Sequence, residues 1–305
     1  MAEKKPIVVV GSINMDLVAS TARIPIEGET VTGHSFEVHP GGKGANQAVA
    51  VARLGYPVQM IGRVGNDAFG LQSKAHLETA GVDVAGVLTS DTASGVAMIV
   101  VSKTGSNVIV VVPGANGLLT PEDIDAHRDM IRAAGVVLAQ LEIPMETTLH
   151  LANLCAREGI DLMLDPAPAT ELPPGLLAQA AWVTPNETEA AFYAGQSVGD
   201  DDTAKRLLAM GAEKVVLKLG SRGVCVVMSP ESQTIVSSFA VKAIDTTAAG
   251  DCFNGAFAVG LMMGMSELES ARFGTAAAAI SVTRAGAQPS MPSLDEVERL
   301  LEERK

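Results

Sequence analysis

In the stretch DTTAAGDCFNGAF (245–257) a single carboxylate, Asp251, stands between a run of very small residues and a long apolar segment. An ionised aspartate is costly to bury without partners, so at the mouth of an apolar helix it either caps the helix or does chemistry. Ala248, Ala249 and Gly250 leave their N–H groups open where the helix starts and its dipole is positive, which suits developing negative charge. The same field favours the ionised carboxylate. Within hydrogen-bond reach of a substrate hydroxyl, Asp251 can then take the proton as that hydroxyl attacks. A cap explains Asp251 alone; it explains neither the small residues before it nor the FNGAFA (253–258) that lets the helix pack closely.

Four further clusters have the residue types of a binding site, and each also has a plain structural reading. In PGGKGANQAVAVARLG (40–55) paired glycines allow close backbone approach. There Lys43 and Asn46, at the start of an amphipathic helix, can grip hydroxyls or an anion; an ordinary strand-to-helix turn fits as well. Because Gly44 follows Lys43, this is not a Walker A loop. Asn14 and Asp16 point the same way if their segment is extended and would line one side of a pocket, although a solvated loop also accounts for them. In TPNETEA (184–190) Asn186 and Glu189 have the form of a capping box and equally suit a Mg²⁺ site reached through water. LGSRG (219–223) is a tight turn that also presents amides, or Arg222, to a nucleotide. No G-x-G-x-x-G follows the first strand, which argues against a dinucleotide.

These residues need a scaffold, and the rest of the sequence supplies one. IVVVG (7–11), VVLAQ (136–140), DLMLD (161–165), AWVTP (181–185) and KVVLKLG (214–220) read as short buried strands. Between them, helices are expected at 43–54, 67–80, 121–133, 146–158, 187–194, 201–210, 251–264, 267–284 and 293–303. Thr120-Pro121 and Ser293 with Glu296 are start signals. This alternation predicts an α/β fold, a doubly wound, mostly parallel sheet flanked by helices. Two stretches depart from it: 13–40, with alternating polar and apolar residues, and 91–113, where SGVAMIVVS and SNVIVVV flank the turn KTGS. They are expected to pair into a small β-sheet lid over a main domain made of 1–12, 41–90 and 114–305. In such sheets ligands collect beyond the carboxyl ends of the strands. Asn14, Asp16, Glu142, Asn186, Glu189, Gly220 and Asp251 all fall there.

The bulk composition narrows the function. With 305 residues, 47% hydrophobic content, 3% aromatics and 30 glycines, the chain suits a sheet covered by small-residue helices. A net charge of −13 and a pI near 4.8 repel phosphate backbones, so nucleic acid is not an expected partner and any bound anion must be held locally. Cys155, Cys225 and Cys252 are odd in number and sit in apolar runs, as reduced core thiols do. No run approaches the ~20 apolar residues of a membrane span, and MAEKKPIVVVGSIN does not read as a signal peptide. A cytoplasmic protein without a membrane partner is expected.

Taken in order, GSINMD, IEGETVTG, GGKGANQAVAVARLGYPVQMIGRVG (41–65), DPAPATELP, TPNETEA, LGSRG, DTTAAGDCFNGAFA (245–258) and TRAGAQPS resemble the PfkB family of sugar and nucleoside kinases over essentially the whole chain. The resemblance implies ATP-dependent phosphorylation of the 5-hydroxyl of D-ribose. Asp251 would be the base, and Ala248, Ala249 and Gly250 the anion hole. Asn14, Asp16, Gly42, Lys43, Asn46 and Glu142 would contact the sugar. Asn186, Lys218, Gly220, Ser221, Gly223, Gly250 and Thr275 would contact the nucleotide. Mg²⁺ would come with ATP and meet Asn186 and Glu189 mainly through water. A monovalent cation of the potassium type would lie at Asp245, Thr247, Ser281, Arg284, Gly286 and Ser290. The resemblance also implies a homodimer formed through the lid. Cys252 stands where the family commonly has threonine, and Thr275 where a histidine near the adenine is often seen. Deoxyribose, a nucleoside or a ketose as acceptor, or a catalytically silent sugar-binding regulator, are the alternative readings.

Overall fold

The structure, a computed structural model, describes residues 4–195, 197 and 202–304. The chain enters on β1 (Ile7–Val10), leaves through β2 (Asn14–Thr21) and β3 (Gly33–Gly41), and returns along α1 (Lys43–Arg53), β4 (Val58–Gly65), α2 (Ala68–Ala80) and β5 (Asp83–Ser90). A second excursion, β6 (Gly95–Ser102) and β7 (Asn107–Val112), precedes α3 (Pro121–Ala126), α4 (Arg128–Ala133), β8 (Val136–Ala139), α5 (Met145–Glu158), β9 (Leu162–Leu164) and β10 (Trp182–Val183). Next come α6 (Glu187–Ala194), α7 (Thr203–Ala209), β11 (Val215–Lys218), β12 (Val224–Ser229) and β13 (Ser232–Val236). The chain then closes with α8 (Ala249–Met262), α9 (Glu267–Ser281) and α10 (Leu294–Glu303).

The main sheet runs β13-β12-β11-β10-β9-β8-β1-β4-β5, parallel from β11 to β5 and antiparallel at β12 and β13. β1 shows why this chain needs two helical layers. All four of its residues are buried; Ile7 and Val9 join a core with α1, α8 and α9, whereas Val8 and Val10 join one with α3, α4 and α5. Successive strand side chains point to opposite faces, so an unbroken apolar strand must be covered on both. The doubly wound, mostly parallel sheet inferred from the sequence is present. Among the described residues, no helix is long and apolar enough to cross a membrane.

A second sheet, β3-β2-β6-β7, is built from both excursions. β2 pairs antiparallel with β3 and parallel with β6, and β6 and β7 form a hairpin around Gly105, which has φ 84°. The pairing sets two different faces. Asn14 and Asp16 share one with His39 and Val111; Phe36, Met98, Val108, Val110 and Val112 share the other and are exposed.

Several boundaries differ from expectation. The helix expected over 121–133 is two, broken at His127 (φ −105°). The helix expected over 267–284 stops at Ser281, and α8 starts at Ala249, two residues early. Residue 201, the start of one expected helix, lies outside the described residues. β4, β5 and β13 were not anticipated: VQMIGRVG (58–65) interrupts its apolar run with glycine and with Arg63, which pairs with Asp123 at 2.7 Å. Capping boxes begin α3, α6, α9 and α10, including those at the start signals expected at Thr120 and Ser293.

Helix α8 is fixed against the sheet by aromatics. Phe257 stacks on Phe253 with centroids 5.7 Å apart and packs perpendicular to Trp182, on β10, at 5.0 Å. Phe257 is fully buried, so Phe257→Ala should cost about 3–5 kcal/mol. Urea unfolding followed through the fluorescence of Trp182, the chain's single tryptophan, measures this; a loss below about 1 kcal/mol would show that α8 does not depend on the contact.

Candidate active site

Helix α8 begins without a cap. Ala248 occupies the left-handed region (φ 56°, ψ 16°), and no side chain bonds the first turn. It is the one non-glycine residue with positive φ among those described, at a cost of order 1–3 kcal/mol that the surrounding fold must sustain. Asp251 is the third helical residue, the position from which an acidic side chain commonly bonds back to the cap. Its carboxylate instead accepts from Asn46 Nδ2 at 3.0 Å and Gln47 Nε2 at 3.1 Å, both on α1. The capping reading of Asp251 therefore fails. Of the three amides expected to form an anion hole, that of Ala249 donates to the Thr246 carbonyl at 3.2 Å. The amides of Gly250 and of Asp251 itself, at the second and third helical positions, have no carbonyl one turn earlier in the helix to bond.

Burial outweighs the helix field on Asp251. The residue is 6% exposed, and burial pushes its carboxyl up to about 6, with Asp165 adding to the rise. Lys43 and the amides of Asn46 and Gln47 oppose it. Asp16 is likewise raised to about 6, by burial and then by Glu142, with His39 opposing. For Lys43 burial alone would lower the ammonium, but Asp251, Asp165, Glu142 and Glu189 together carry it above the ordinary lysine value. The carboxylates thus hold Lys43 charged, and Lys43 in turn limits the rise that burial imposes on Asp251.

On one side of Asp251, β1, β2 and α1 converge. Gly42 has φ 89°, and a Cβ there would lie 2.7 Å from the Asn14 nitrogen and 2.8 Å from the Ser12 carbonyl oxygen; at Gly41 it would lie 2.3 Å from the Asp16 carboxylate. The paired glycines therefore let α1 start directly against the polar ends of β1 and β2. Glu142 accepts from Ser12 Oγ at 2.6 Å and from the Lys43 amide at 3.2 Å. Asn14 Oδ1 accepts from Asn116 Nδ2 at 2.7 Å. Asn14, Asp16, Gly42, Lys43, Asn46, Glu142 and Asp251 are gathered at this one place.

On the other side a cavity of about 310 Å³ runs beside α8 and α9. Lys218, Gly220, Ser221, Gly223, Gly250 and Thr275, all singled out from the sequence as nucleotide contacts, lie in its wall with Phe239, Val241 and Val282. Gly223 (φ 97°) has the Val236 carbonyl oxygen 2.1 Å from where a Cβ would sit, so no other residue fits this turn. The Thr275 hydroxyl donates to Ala271 of its own helix at 2.7 Å. Arg222 is exposed and pairs with Glu187. Asn186 lies outside this wall, bridged to Lys218 just beyond the carboxyl end of β10.

The two groups expected to meet cations are different in kind. Asn186 and Glu189 form a reciprocal capping box, Asn186 Oδ1 accepting the Glu189 amide at 2.9 Å and Glu189 Oε2 the Asn186 amide at 2.8 Å. That leaves one oxygen of a buried carboxylate, raised by burial, for a further partner. Asp245 ties two loops together: Oδ1 accepts from the amide and hydroxyl of Thr247 at 2.9 and 2.6 Å, and Oδ2 from the Gly286 amide at 2.8 Å. Ser281 and Ser290 donate their hydroxyls to nearby carbonyls, and the Arg284 guanidinium pairs with Glu296. Among the described residues, no group of three or more His, Cys, Asp or Glu is disposed to hold a metal ion. The thiol of Cys252, next to Asp251, is pushed up to about 12 by burial, as an inert core cysteine is.

Sequence reading missed part of the site. Gln47, through one amide nitrogen, reaches both Asp251 and Asp165 (3.1 and 3.0 Å), and Gln140 donates to Gln47 Oε1 at 2.8 Å. Asp165 also accepts from Lys218 Nζ at 3.0 Å, and Gln288 donates to Asn46 Oδ1 at 3.1 Å. Asp165 could have been found, since it closes DLMLD at the carboxyl end of a strand, where the other site residues lie.

The profile of the pfkB family carbohydrate kinases matches residues 4–294. Over 304 residues the chain is 41% identical to a ribokinase of Haemophilus influenzae, covering 98% of this chain and 99% of that one. It is 42% identical over 297 residues to a ribokinase of Bacillus subtilis, covering 97% and 99%. Among solved structures, Arabidopsis thaliana ribokinase complexed with ribose and ATP superposes with a TM-score of 0.91 at 34% identity, covering 98% of this chain and 99% of that one.

Carbon-13 NMR titration of the aspartate carboxyls should give Asp251 a midpoint near 6. Because Lys43 is the main group lowering it, Lys43→Met should move that midpoint upward; an unchanged or lower midpoint would show that the two groups are not coupled.

Proposed function

The chain belongs to the pfkB family of carbohydrate kinases, and from that premise we propose that it transfers the γ-phosphoryl group of ATP to the 5-hydroxyl of D-ribose, giving ribose 5-phosphate and ADP. One observation carries the reading: a buried carboxylate, Asp251, held by α1 on the polar side, at the uncapped start of a helix whose next face borders the cavity.

The sugar's 5-hydroxyl donates to Asp251. As its proton passes to the carboxylate, its oxygen forms the new bond to the γ-phosphorus in line with the β–γ bridging oxygen. The bond to that bridge breaks, the electron pair leaves with ADP, and the proton on Asp251 later returns to solvent. Phosphoryl transfer asks for positioning and charge stabilisation more than covalent help. The anion hole at Ala248 and Gly250, with the positive end of α8, meets the transferring group, the Ala249 amide of the expected trio being bonded to Thr246. Asn14, Asp16, Gly42, Lys43, Asn46 and Glu142 hold the sugar. Asp16 and Glu142 accept from neutral hydroxyls and repel an already phosphorylated sugar, and among the residues gathered there none is aromatic, which favours a sugar over a nucleoside. Gly220, Ser221, Gly223 and Thr275 line the nucleotide's seat.

Mg²⁺ carried with ATP fits Asn186 and the open Glu189 oxygen through water, and when bound supplies positive charge along the phosphates. A monovalent cation of the potassium type fits the loops of Asp245, Thr247, Ser281, Arg284, Gly286 and Ser290. Asp245 is held ionised there: burial would raise it, but bonds from Thr247 and Gly286 prevail. Such an ion, when bound, would add positive charge to the loops that Asp245 already ties together. The second sheet acts as the lid, its Asn14–Asp16 face toward the sugar. Its apolar face, with Phe36 65% exposed and Val110 56% exposed, supports a homodimer through the lid.

Asp251→Asn should lower kcat by about 10²–10⁴ while ribose still binds, measured as coupled ADP release with ribose 5-phosphate identified as product. Turnover equal to wild type would overturn the assigned base. Since an acid raised to about 6 must be ionised to act, activity should be full well above pH 6 and fall as pH drops through it; an acid limb below pH 4 would contradict this. Val110→Glu should yield monomers in analytical ultracentrifugation, whereas an unaltered sedimentation coefficient would remove the lid from the interface.

A further inference from the structure

The proposed reaction concentrates negative charge. Asp16, Asp165, Glu142, Glu189 and Asp251 all act electrostatically on the same small region, in a chain of net charge −13, and a nucleoside triphosphate adds more. Lys43 answers this charge on the sugar side. On the nucleotide side the cation is Lys218, the last residue of β11. Its side chain is 12% exposed, and its ammonium donates to Asp165, whose side chain is 4% exposed, at 3.0 Å. A Cβ at Gly250 would lie 3.3 Å from Lys218 Nζ, and both residues border the 310 Å³ cavity. Glycine at 250 thus keeps clear the space between an amide of the helix start and an ammonium group.

Asp165 also faces the base. Its second oxygen accepts from Gln47 Nε2 at 3.0 Å, and the same nitrogen reaches Asp251 Oδ1 at 3.1 Å. Gln140 donates to Gln47 Oε1, which fixes the amide with its nitrogen toward both carboxylates. A buried ion pair contributes little stability for its desolvation cost, so its retention where a phosphate-sized anion must pass calls for a role in the chemistry.

Building on the kinase reading above, we propose that Lys218 is a further catalytic residue whose ammonium meets the β- and γ-phosphate oxygens beside Gly250. Buried Asp165 is the positioning residue that holds it there and links it through Gln47 to Asp251. As the β–γ bridge opens, the charge of Lys218 offsets the negative charge collecting on the leaving ADP, with no proton passed from the lysine. The pair thereby aligns the phosphate end of the nucleotide with the base on the sugar.

Titration calorimetry without sugar tests this, using a non-hydrolysable ATP analogue, ADP and AMP. Lys218→Met should weaken the ATP analogue and ADP about tenfold or more and leave AMP within about twofold of wild type, since only the β- and γ-phosphates lose a partner. Lys218→Arg should retain most of the affinity. Asp165→Asn should show the same selective loss, and Lys218→Met/Asp165→Asn should be no worse than Lys218→Met, because the two act as a unit. If Lys218→Met fails to fold, Lys218→Gln, which can still donate to Asp165, gives the same comparison. Equal weakening of all three nucleotides, or of none, in a folded variant overturns the proposal. So does additive loss in the double variant. If the selective loss is found but D-ribose elicits no ADP release, the acceptor assignment fails and the phosphate contact stands.

Discussion

A carboxylate buried at the foot of an apolar helix is stable only if polar groups from elsewhere in the chain converge on it, and Asp251 organises this molecule through that requirement. Asn46 and Gln47 bond it directly. Behind them stand Gln288, from the loop before α10, and Gln140, from the end of β8. None of these residues is near Asp251 in sequence, and apart from Gln288 none follows it; they come from the first turns of α1, the end of β8 and the loop before α10. The network can close only if α1, α8, β8 and β9 are docked in one arrangement, which ties the site's geometry to the packing of the whole α/β domain.

That docking explains where the chain accepts unfavourable backbone. Gly42 and Gly223 occupy conformations with no room for a Cβ, and Ala248 holds a left-handed conformation without glycine's freedom. Each lies where backbone must come close to a partner: α1 against β1 and β2, the turn after β11 against β13, and the start of α8 against the cavity. The aromatic contacts of Phe253, Phe257 and Trp182 lie one and two turns further along α8, where the apolar surface they bury holds the strained end in place.

Much of this was legible in the sequence, for identifiable reasons. β-branched runs and capping boxes are local signals, so the parallel sheet and most helices could be read directly, as could the hairpin around KTGS. β4 and β5 could not, because a glycine, an arginine and an alternating edge pattern break the apolar run that marks a buried strand. The break at His127 had no proline or glycine to announce it. Residues at the ends of strands were found because position alone marks them. Gln47 and Gln140 were missed because their partners are 93 to 204 residues away and an isolated amide carries no local signature; Asp165, at the end of its strand, is the exception that position did mark and the reading passed over. The helix dipole alone predicts a low acid at 251; burial, invisible in one dimension, reverses the sign.

The charge balance of the site also argues for its enclosure. A carboxylate raised to about 6 is a better proton acceptor than an exposed aspartate and remains largely ionised at neutral pH. The raised value requires exclusion of water, and exclusion strengthens every interaction among Asp251, Asp165, Lys43 and Lys218 alike. Removing either ammonium would leave carboxylates buried without an answering charge. Opening the site to solvent would weaken all the pairs together and lower the base. The second sheet belongs to the same balance: its polar face brings Asn14 and Asp16 to the site, while its opposite, apolar face stays exposed.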